Sequence, residues 1–260
     1  MIKKIIGMIA LVTVFCLCGC EVEDEIPWGG NVVNETKDNQ NETKNTGNEV
    51  TVNDFPEYAL VVENIRSDKY SSKPSTLKIV MNESEPSCAI TGDDKDKVNV
   101  VIDDEKKMIK VSAEHGQKIK PVDIVVNAKI TKLSATDCEL MFEAELSGIE
   151  QVVVELDGDY DGNVSIKSEK CSVKFEGSGD LSFSGETTDL DVDVKGAMLF
   201  EAEELKSKHA NVYVNGAASC SVYASESISA VLEGIGEITY YGKPANVDKK
   251  INGLGIMTEG

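Results

Sequence analysis

The sequence predicts an all-β fold, a single-stranded parallel β-helix (β-solenoid) with about 19 residues per coil. Three observations predict it. Apolar and polar residues alternate with period two, which is typical of half-buried strands. A glycine interrupts this alternation at nearly constant spacing, with steps of 19, 20, 18 and 19 residues. Its copies are Gly177, Gly196, Gly216, Gly234 and Gly253.

The alternation also places similar residues in register between copies. The positions two before and four after the glycine are apolar in every copy: Phe175, Val194, Val214, Leu232 and Ile251, then Leu181, Phe200, Cys220, Ile238 and Met257. One short coil cannot bury its apolar face alone, so the core forms only when neighbouring coils stack about 4.8 Å apart. An antiparallel barrel or sandwich is the alternative, but matching columns favour parallel stacking.

Residues 1–20 are predicted to be a lipoprotein signal peptide that is not part of the fold. Lys3 and Lys4 precede an apolar run at residues 5–17, which is too short for a typical membrane span. The segment ends in Leu-Cys-Gly-Cys, which resembles the bacterial lipobox. That resemblance implies that Cys20 is lipidated and anchors the protein to a membrane of the bacterial cell envelope. An ordinary cleaved signal or a short buried helix is the alternative.

Residues 21–53 are predicted to form a disordered tether. The segment begins with four acidic residues between positions 21 and 25 and continues rich in Asn, Thr, Lys and Gly, without apolar periodicity. A flexible chain of this length reaches roughly 30 Å (r.m.s.), enough to hold a folded head away from a membrane surface. The only tryptophan, Trp28, lies here. Contact with a membrane or partner and incidental exposure are both compatible with its position.

Residues 54–260 are predicted to form one solenoid head domain. The first apolar runs, from residue 55, are bounded by Ser, Pro, Asn and acidic turns, and they predict meandering strands outside the repeat phase. Gly158 lies 19 residues before Gly177, so the phase extends one coil upstream. In the final coil, Lys249 and Glu259 replace apolar residues in inward columns, as is typical of a terminal cap.

The closing coils resemble a known family. Residues 232–255 read LEGIGEITYYGKPANVDKKINGLG, and they match the pattern Gly-x-Gly-x-Ile-x-Tyr-x-Gly-x-Pro from Gly234 to Pro244. This pattern is similar to the head GIN domain of the putative auto-transporter adhesin family, over about residues 58–260. The resemblance implies a right-handed parallel β-helix on a secreted or surface-attached bacterial protein. Asp137, Glu139 and Met198 depart from the family's small-residue pattern.

The charge of the chain restricts its partners. Removing Lys3 and Lys4 from the 26 basic residues leaves 24 against 46 acidic residues, a net charge near −22. Such a surface repels nucleic acid and anionic head groups, and it keeps an elongated β-protein soluble. We therefore expect no nucleic-acid partner, contact with a membrane through the lipid, and envelope proteins or glycans as further partners.

One acidic segment is a candidate metal site. Residues 157–163, DGDYDGN, match the Asp-x-Asp-x-Asp-Gly opening of calcium-binding loops, in which alternate carboxylates converge on a hard cation. Asp157, Asp159 and Asp161 are thus candidate calcium ligands. Ser168 stands where such a loop has its closing glutamate. The alternative is a solvated acidic corner of the solenoid, and no other cofactor is expected.

No catalytic cluster is predicted. His115 and His209 are far apart in sequence, Arg66 is the only arginine, and the outward columns carry no recurrent pair of acids. We therefore predict a non-enzymatic, lipid-anchored module for adhesion, ligand binding or envelope scaffolding. A carbohydrate-active enzyme on a β-helix and a calcium-stabilised structural head are the alternatives. Tyr241 is predicted to point outward, as either a stacking platform or an incidental aromatic.

Four cysteines lie in the predicted head: Cys88, Cys138, Cys171 and Cys220. They lack metal-ligand spacing, so a zinc site is not expected. Cys220 occupies an inward column and suits a small buried hydrophobe. An exported protein can form disulfides, and Cys138 with Cys171 is a candidate pair, but the sequence leaves the pairing open.

Overall fold

The computed structural model describes residues 56–81 and 85–260. Their strands form one twelve-stranded sheet, wound into a β-solenoid of about five turns with about 19 residues per turn. The prediction of an all-β solenoid with this repeat length is confirmed. Within the described ranges there is no helix able to span a bilayer. The predicted signal peptide and tether, with Cys20 and Trp28, lie outside the described residues.

The strands are named in chain order. They are β1 (Glu57–Glu63), β2 (Ser75–Val80), β3 (Ser87–Thr91), β4 (Val98–Asp103), β5 (Met108–Ala113), β6 (Asp123–Asn127), β7 (Lys129–Glu186), β8 (Asp189–Lys206), β9 (His209–Tyr223), β10 (Ser227–Tyr241), β11 (Asn246–Ile251) and β12 (Leu254–Glu259). The strand β7 is 58 residues long because its ladder continues around the corners of several coils. A 3₁₀ turn, Lys95–Lys97, precedes β4.

The repeat glycines stack directly on one another. Gly177 pairs with Gly196, and Gly196 pairs with Gly216. A Cβ atom added to Gly196 would lie 2.1 Å from the carbonyl oxygen of Gly177. Its φ of +124° is also a conformation that side chains disfavour. The column therefore requires glycine for both space and conformation, which explains the repeat spacing.

The core fills the inside of the coils with the inward columns predicted from the alternation. The rings of Phe183 and Phe200 stack with their centroids 4.9 Å apart. Tyr160 packs edge to face against Phe142 and Phe175. Burying one large apolar side chain contributes about 1.5–3 kcal/mol, so these columns stabilise the stacking of neighbouring coils.

The N-terminal coils are not stacked in chain order. The strand β1 lies between β5 and β7 and pairs with both in parallel. Likewise, β2 lies between β6 and β7. The strands β3 and β4 pair antiparallel with β6 and β5, respectively, so antiparallel strands close this end. A rearranged order leaves no periodic signal, which is why the sequence predicts only irregular strands here.

The C-terminal end has a different construction. Among the described strands, β11 and β12 pair only with β10. Lys249 pairs with the inward-facing Ala230 of the preceding coil. Its ammonium nitrogen lies 4.2 Å from the centroid of the Tyr240 ring. A cation over an aromatic ring thus covers the last layer of the core, at the position predicted to be a cap.

Candidate binding surfaces

The three aspartates of the predicted calcium site lie on the outer surface of β7. Alternate residues of a strand are about 6.6 Å apart, so the carboxylates of Asp157, Asp159 and Asp161 spread along the coil. The hydroxyl of Ser178 donates to Asp159, and the backbone N–H of Asp180 donates to Asp161 at 3.0 Å. Across residues 56–81 and 85–260, no group of three or more His, Cys, Asp or Glu side chains is placed to hold a metal ion. Calcium binding therefore stays a prediction.

The only arginine joins an N-terminal coil to β7. Arg66 donates to Asp137 at 2.7 Å and lies 3.5 Å from Asp159. The bond to Asp137 raises the pKa of Arg66. Asp137 has a φ of +53°, so this departure from the family pattern adopts a left-handed conformation that glycine would adopt more easily. The ion pair with Arg66 explains how an aspartate is held in this conformation. The same guanidinium also lies next to Asp159, one of the candidate calcium ligands.

The four described cysteines are free thiols. Cys138, Cys171 and Cys220 are buried, and Cys88 is half-buried. Burial raises the pKa of Cys88 and Cys138 to about 11 and that of Cys171 and Cys220 to about 12. Because the thiolate is the reactive form, these thiols stay protonated and weakly reactive at neutral pH. Cys138 and Cys171, the candidate disulfide pair, are therefore both free thiols in this structure.

The structure brings one histidine next to a serine, a contact that the sequence analysis missed. His209 Nδ1 lies 2.9 Å from the Ser227 hydroxyl oxygen on the next coil, and its Nε2 lies 3.9 Å from Glu226. All three residues are on the surface. The backbone N–H of Ser227, a usual donor to an oxyanion, is bonded instead to the carbonyl of Lys208. The contact lines an open groove of about 790 Å³.

The predicted outward tyrosine has an aromatic neighbour. Tyr241 pairs with Tyr223 on the adjacent coil, while Tyr240 is buried. The Lys206 ammonium nitrogen lies 4.4 Å from the centroid of the Tyr223 ring. A Cβ atom on Gly260 would lie 2.3 Å from the Tyr241 ring, so this glycine packs against it. Both rings are therefore partly covered by neighbouring groups.

An aliphatic patch lies on the outside of the last coils. We use this name for Ala217, Ile235, Leu254 and Ile256, which surround a shallow depression of about 420 Å³. Ile235, Leu254 and Ile256 are 63%, 79% and 54% exposed. Scattered apolar residues are normal on a protein surface, whereas contiguous patches of several hundred Å² mark interaction sites.

The patch has a sequence signal in the outward columns. The position one after the repeat glycine changes from Ser178 through Ala197 and Ala217 to Ile235 and Leu254. This outward column therefore changes from polar to aliphatic along the solenoid axis. The inward columns predict the core, whereas this signal lies in the outward columns alone.

Comparison with known proteins agrees with this architecture. Residues 71–244 match a family described as "Putative auto-transporter adhesin, head GIN domain". A putative adhesin from Bacteroides fragilis NCTC 9343 has a similar structure, with a TM-score of 0.69 and 19% identity over 79% of this chain and 94% of that chain. A putative adhesin from Parabacteroides distasonis ATCC 8503 is also similar, with a TM-score of 0.50 and 20% identity over 78% of this chain and 93% of that chain.

At these identities, similarity to the two solved structures shows the fold alone. No curated protein sequence matches the chain. The family match covers well over half of the residues, including every repeat glycine from Gly158 to Gly234. The chain therefore belongs to the family described as "Putative auto-transporter adhesin, head GIN domain".

Proposed function

We propose that this protein is a non-enzymatic binding module of the bacterial cell envelope, held to a membrane by a lipid on Cys20. Its head binds another envelope macromolecule through the aliphatic patch. The patch is the observation that carries this proposal, because it exposes three large aliphatic side chains on a chain with a net charge of −20. Membership of an adhesin-like family supports a location at the cell surface or in the envelope.

The patch has the properties of the centre of an interface. Burying one leucine or isoleucine contributes about 1.5–3 kcal/mol, so three offer on the order of 5 kcal/mol before the costs of association. The polar neighbours Ser219 and Glu237 lie at its edge. An apolar centre with a polar rim is the usual anatomy of a protein interface.

Binding is tested by recovering partners from envelope extracts with the full chain. A variant with Ile235→Gln and Leu254→Gln removes the apolar surface of the patch. A matched control, Val101→Gln and Ile102→Gln, replaces two exposed aliphatic residues of β4. We expect the parent and the control to recover the same partner and the patch variant to lose it. Equal recovery by all three chains, or none by the parent, would contradict the proposal.

The anchor is tested separately. The lipobox and the following tether support lipidation of Cys20, and the chain should partition with membranes in cell fractionation. Replacement by Cys20→Ser should move it to the soluble fraction and abolish incorporation of labelled fatty acid. A serine variant that stays in the membrane fraction with its label would disprove the anchor without affecting the patch.

A further inference from the structure

The last coil leaves an open sheet edge. Within the described part of the chain, β11 pairs on one side with β10 and has no strand on its other side. Every residue of β11 is exposed. A free edge presents unpaired N–H and C=O groups in a row, and such a row is a template for another strand.

The side chains of β11 indicate what kind of surface covers this edge. Val247 pairs with Ile228 and Ile251 pairs with Leu232 of the preceding coil, at inward positions. Ile228 and Leu232 are buried, whereas Val247 and Ile251 are nearly half-exposed. A lipid surface would bury these side chains but leave the free backbone groups without hydrogen-bond partners. A β-strand satisfies both needs, so the surface fits a strand.

The sequence of β11 is complementary to itself. In an antiparallel pair centred on Lys249, Asp248 lies opposite Lys250 of the second copy, and Val247 lies opposite Ile251 of the second copy. Each of these pairs occurs twice. The alternation is kept, so inward positions meet inward positions, and the apolar pairs of Val247 with Ile251 lie on both sides of the two inward Lys249 side chains.

We propose that two copies of this chain join end to end by antiparallel pairing of β11 across a twofold axis at Lys249. Residues 243–260 carry Lys243, Lys249 and Lys250 against Asp248 and Glu259, a net charge of +1 on a chain of −20. The copies therefore meet at an end where charge repulsion is small. This surface is separate from the aliphatic patch, and the proposal does not depend on it.

Two features make the association weak. Lys249 lies opposite its own copy at an inward position, where the like charges and their partial burial together cost about 1 kcal/mol or more. Pairing of one six-residue strand also buries less than the roughly 1,600 Å² of a standard interface. Copies tethered to one membrane would have a high effective concentration, which favours a weak contact of this kind.

Disulfide trapping tests the register in the full chain. Directly opposite residues of an antiparallel pair have Cα atoms about 4.5–5.5 Å apart, within the range that a disulfide spans. We expect Lys249→Cys to give a disulfide-linked dimer on a non-reducing gel of intact cells, above the level of the parent. Asp248→Cys, as the matched control, faces Lys250 of the second copy and should give several-fold less.

A charge exchange tests the pairing independently, with the yield of the Lys249→Cys dimer as the readout. Asp248→Lys or Lys250→Asp alone places like charges opposite each other and should lower the yield several-fold. The two changes together should restore it. Melting curves establish that each variant is folded, because Lys249→Cys also removes the cation over the Tyr240 ring.

Four results would overturn the proposal. The first is a folded Lys249→Cys chain that stays monomeric. The second is an equal yield of disulfide-linked dimer from Lys249→Cys and Asp248→Cys. The third is a combined Asp248→Lys and Lys250→Asp exchange that does not restore the dimer yield. The fourth is a disulfide within one chain or to a different envelope protein, because the edge would then be covered by another strand.

Discussion

Arg66 on an N-terminal coil donates to the carboxylate of Asp137 on the next coil at 2.7 Å, although 71 residues separate the two in sequence. Both side chains are about one-third exposed. The bond fixes the only left-handed aspartate of the described residues and ties the rearranged coils to the regular repeat. It is one of several contacts whose contribution can be measured.

Removing the arginine should destabilise the fold by a measurable amount. We expect Arg66→Met to lower the free energy of unfolding by about 1 kcal/mol, since partly exposed ion pairs contribute in that range. Lys78→Met breaks the more exposed bond to Glu143 and serves as the control, with an expected loss near zero. Denaturant titration measures both. Equal losses would show that the partial burial of Arg66 has no special effect.

The glycine column should not tolerate alanine. Gly196→Ala places a Cβ 2.1 Å from a carbonyl oxygen at a φ of +124°, so we expect a loss of about 3 kcal/mol or more, or no folded protein. Gly116→Ala is the control, because its φ is +75° but no atom lies within 4 Å of the new Cβ. That change costs about 1 kcal/mol from backbone strain alone. Thermal unfolding separates the two effects.

Alkaline pH should unfold the protein. Burial raises the pKa of Cys171 and Cys220 from 9.0 to about 12, and the bond to Asp104 raises that of Tyr58 from 10.0 to about 12. The folded state thus favours the neutral forms, and their contribution is complete below the unfolded pKa values and is lost as the pH rises toward 12. We expect the free energy of unfolding to fall between pH 9 and 12.

A variant with Cys171→Ala and Cys220→Ala tests the cause of that fall. Its stability at pH 8 should be lower, because two small cavities are created, but its dependence on pH above 9 should be shallower. A variant that keeps the slope of the parent would show that these thiols do not cause the alkaline transition.

Calcium should have little effect on stability. Asp159 and Asp161 already accept hydrogen bonds from the neighbouring coil, so we expect the same melting temperature in EDTA and in millimolar calcium. A rise in melting temperature with calcium that disappears in Asp157→Asn would reverse this expectation and support the calcium-stabilised head.

Local patterns predict the repeat but not the contacts between distant parts. The alternation around the glycines correctly assigns Phe175 and Cys220 to the core, because each coil repeats the same inward columns. It cannot reveal that Arg66 meets Asp137, which depends on the rearranged stacking order. The DGDYDGN segment has the composition of a metal loop, and only the fold shows that it runs along a strand. Exposure of Leu254 likewise depends on which elements pack beside it.

The placement of β1 has a consequence for synthesis and export. Its partners are β5 and β7, so its ladder is incomplete until residue 136 has been made, about 75 residues after β1 itself. Until then β1 has only β5 as a partner strand, so this end of the solenoid stays incomplete while the chain is being made. In a chain that crosses a membrane unfolded, the coil that contains β1 would close only after the first part of β7 had emerged.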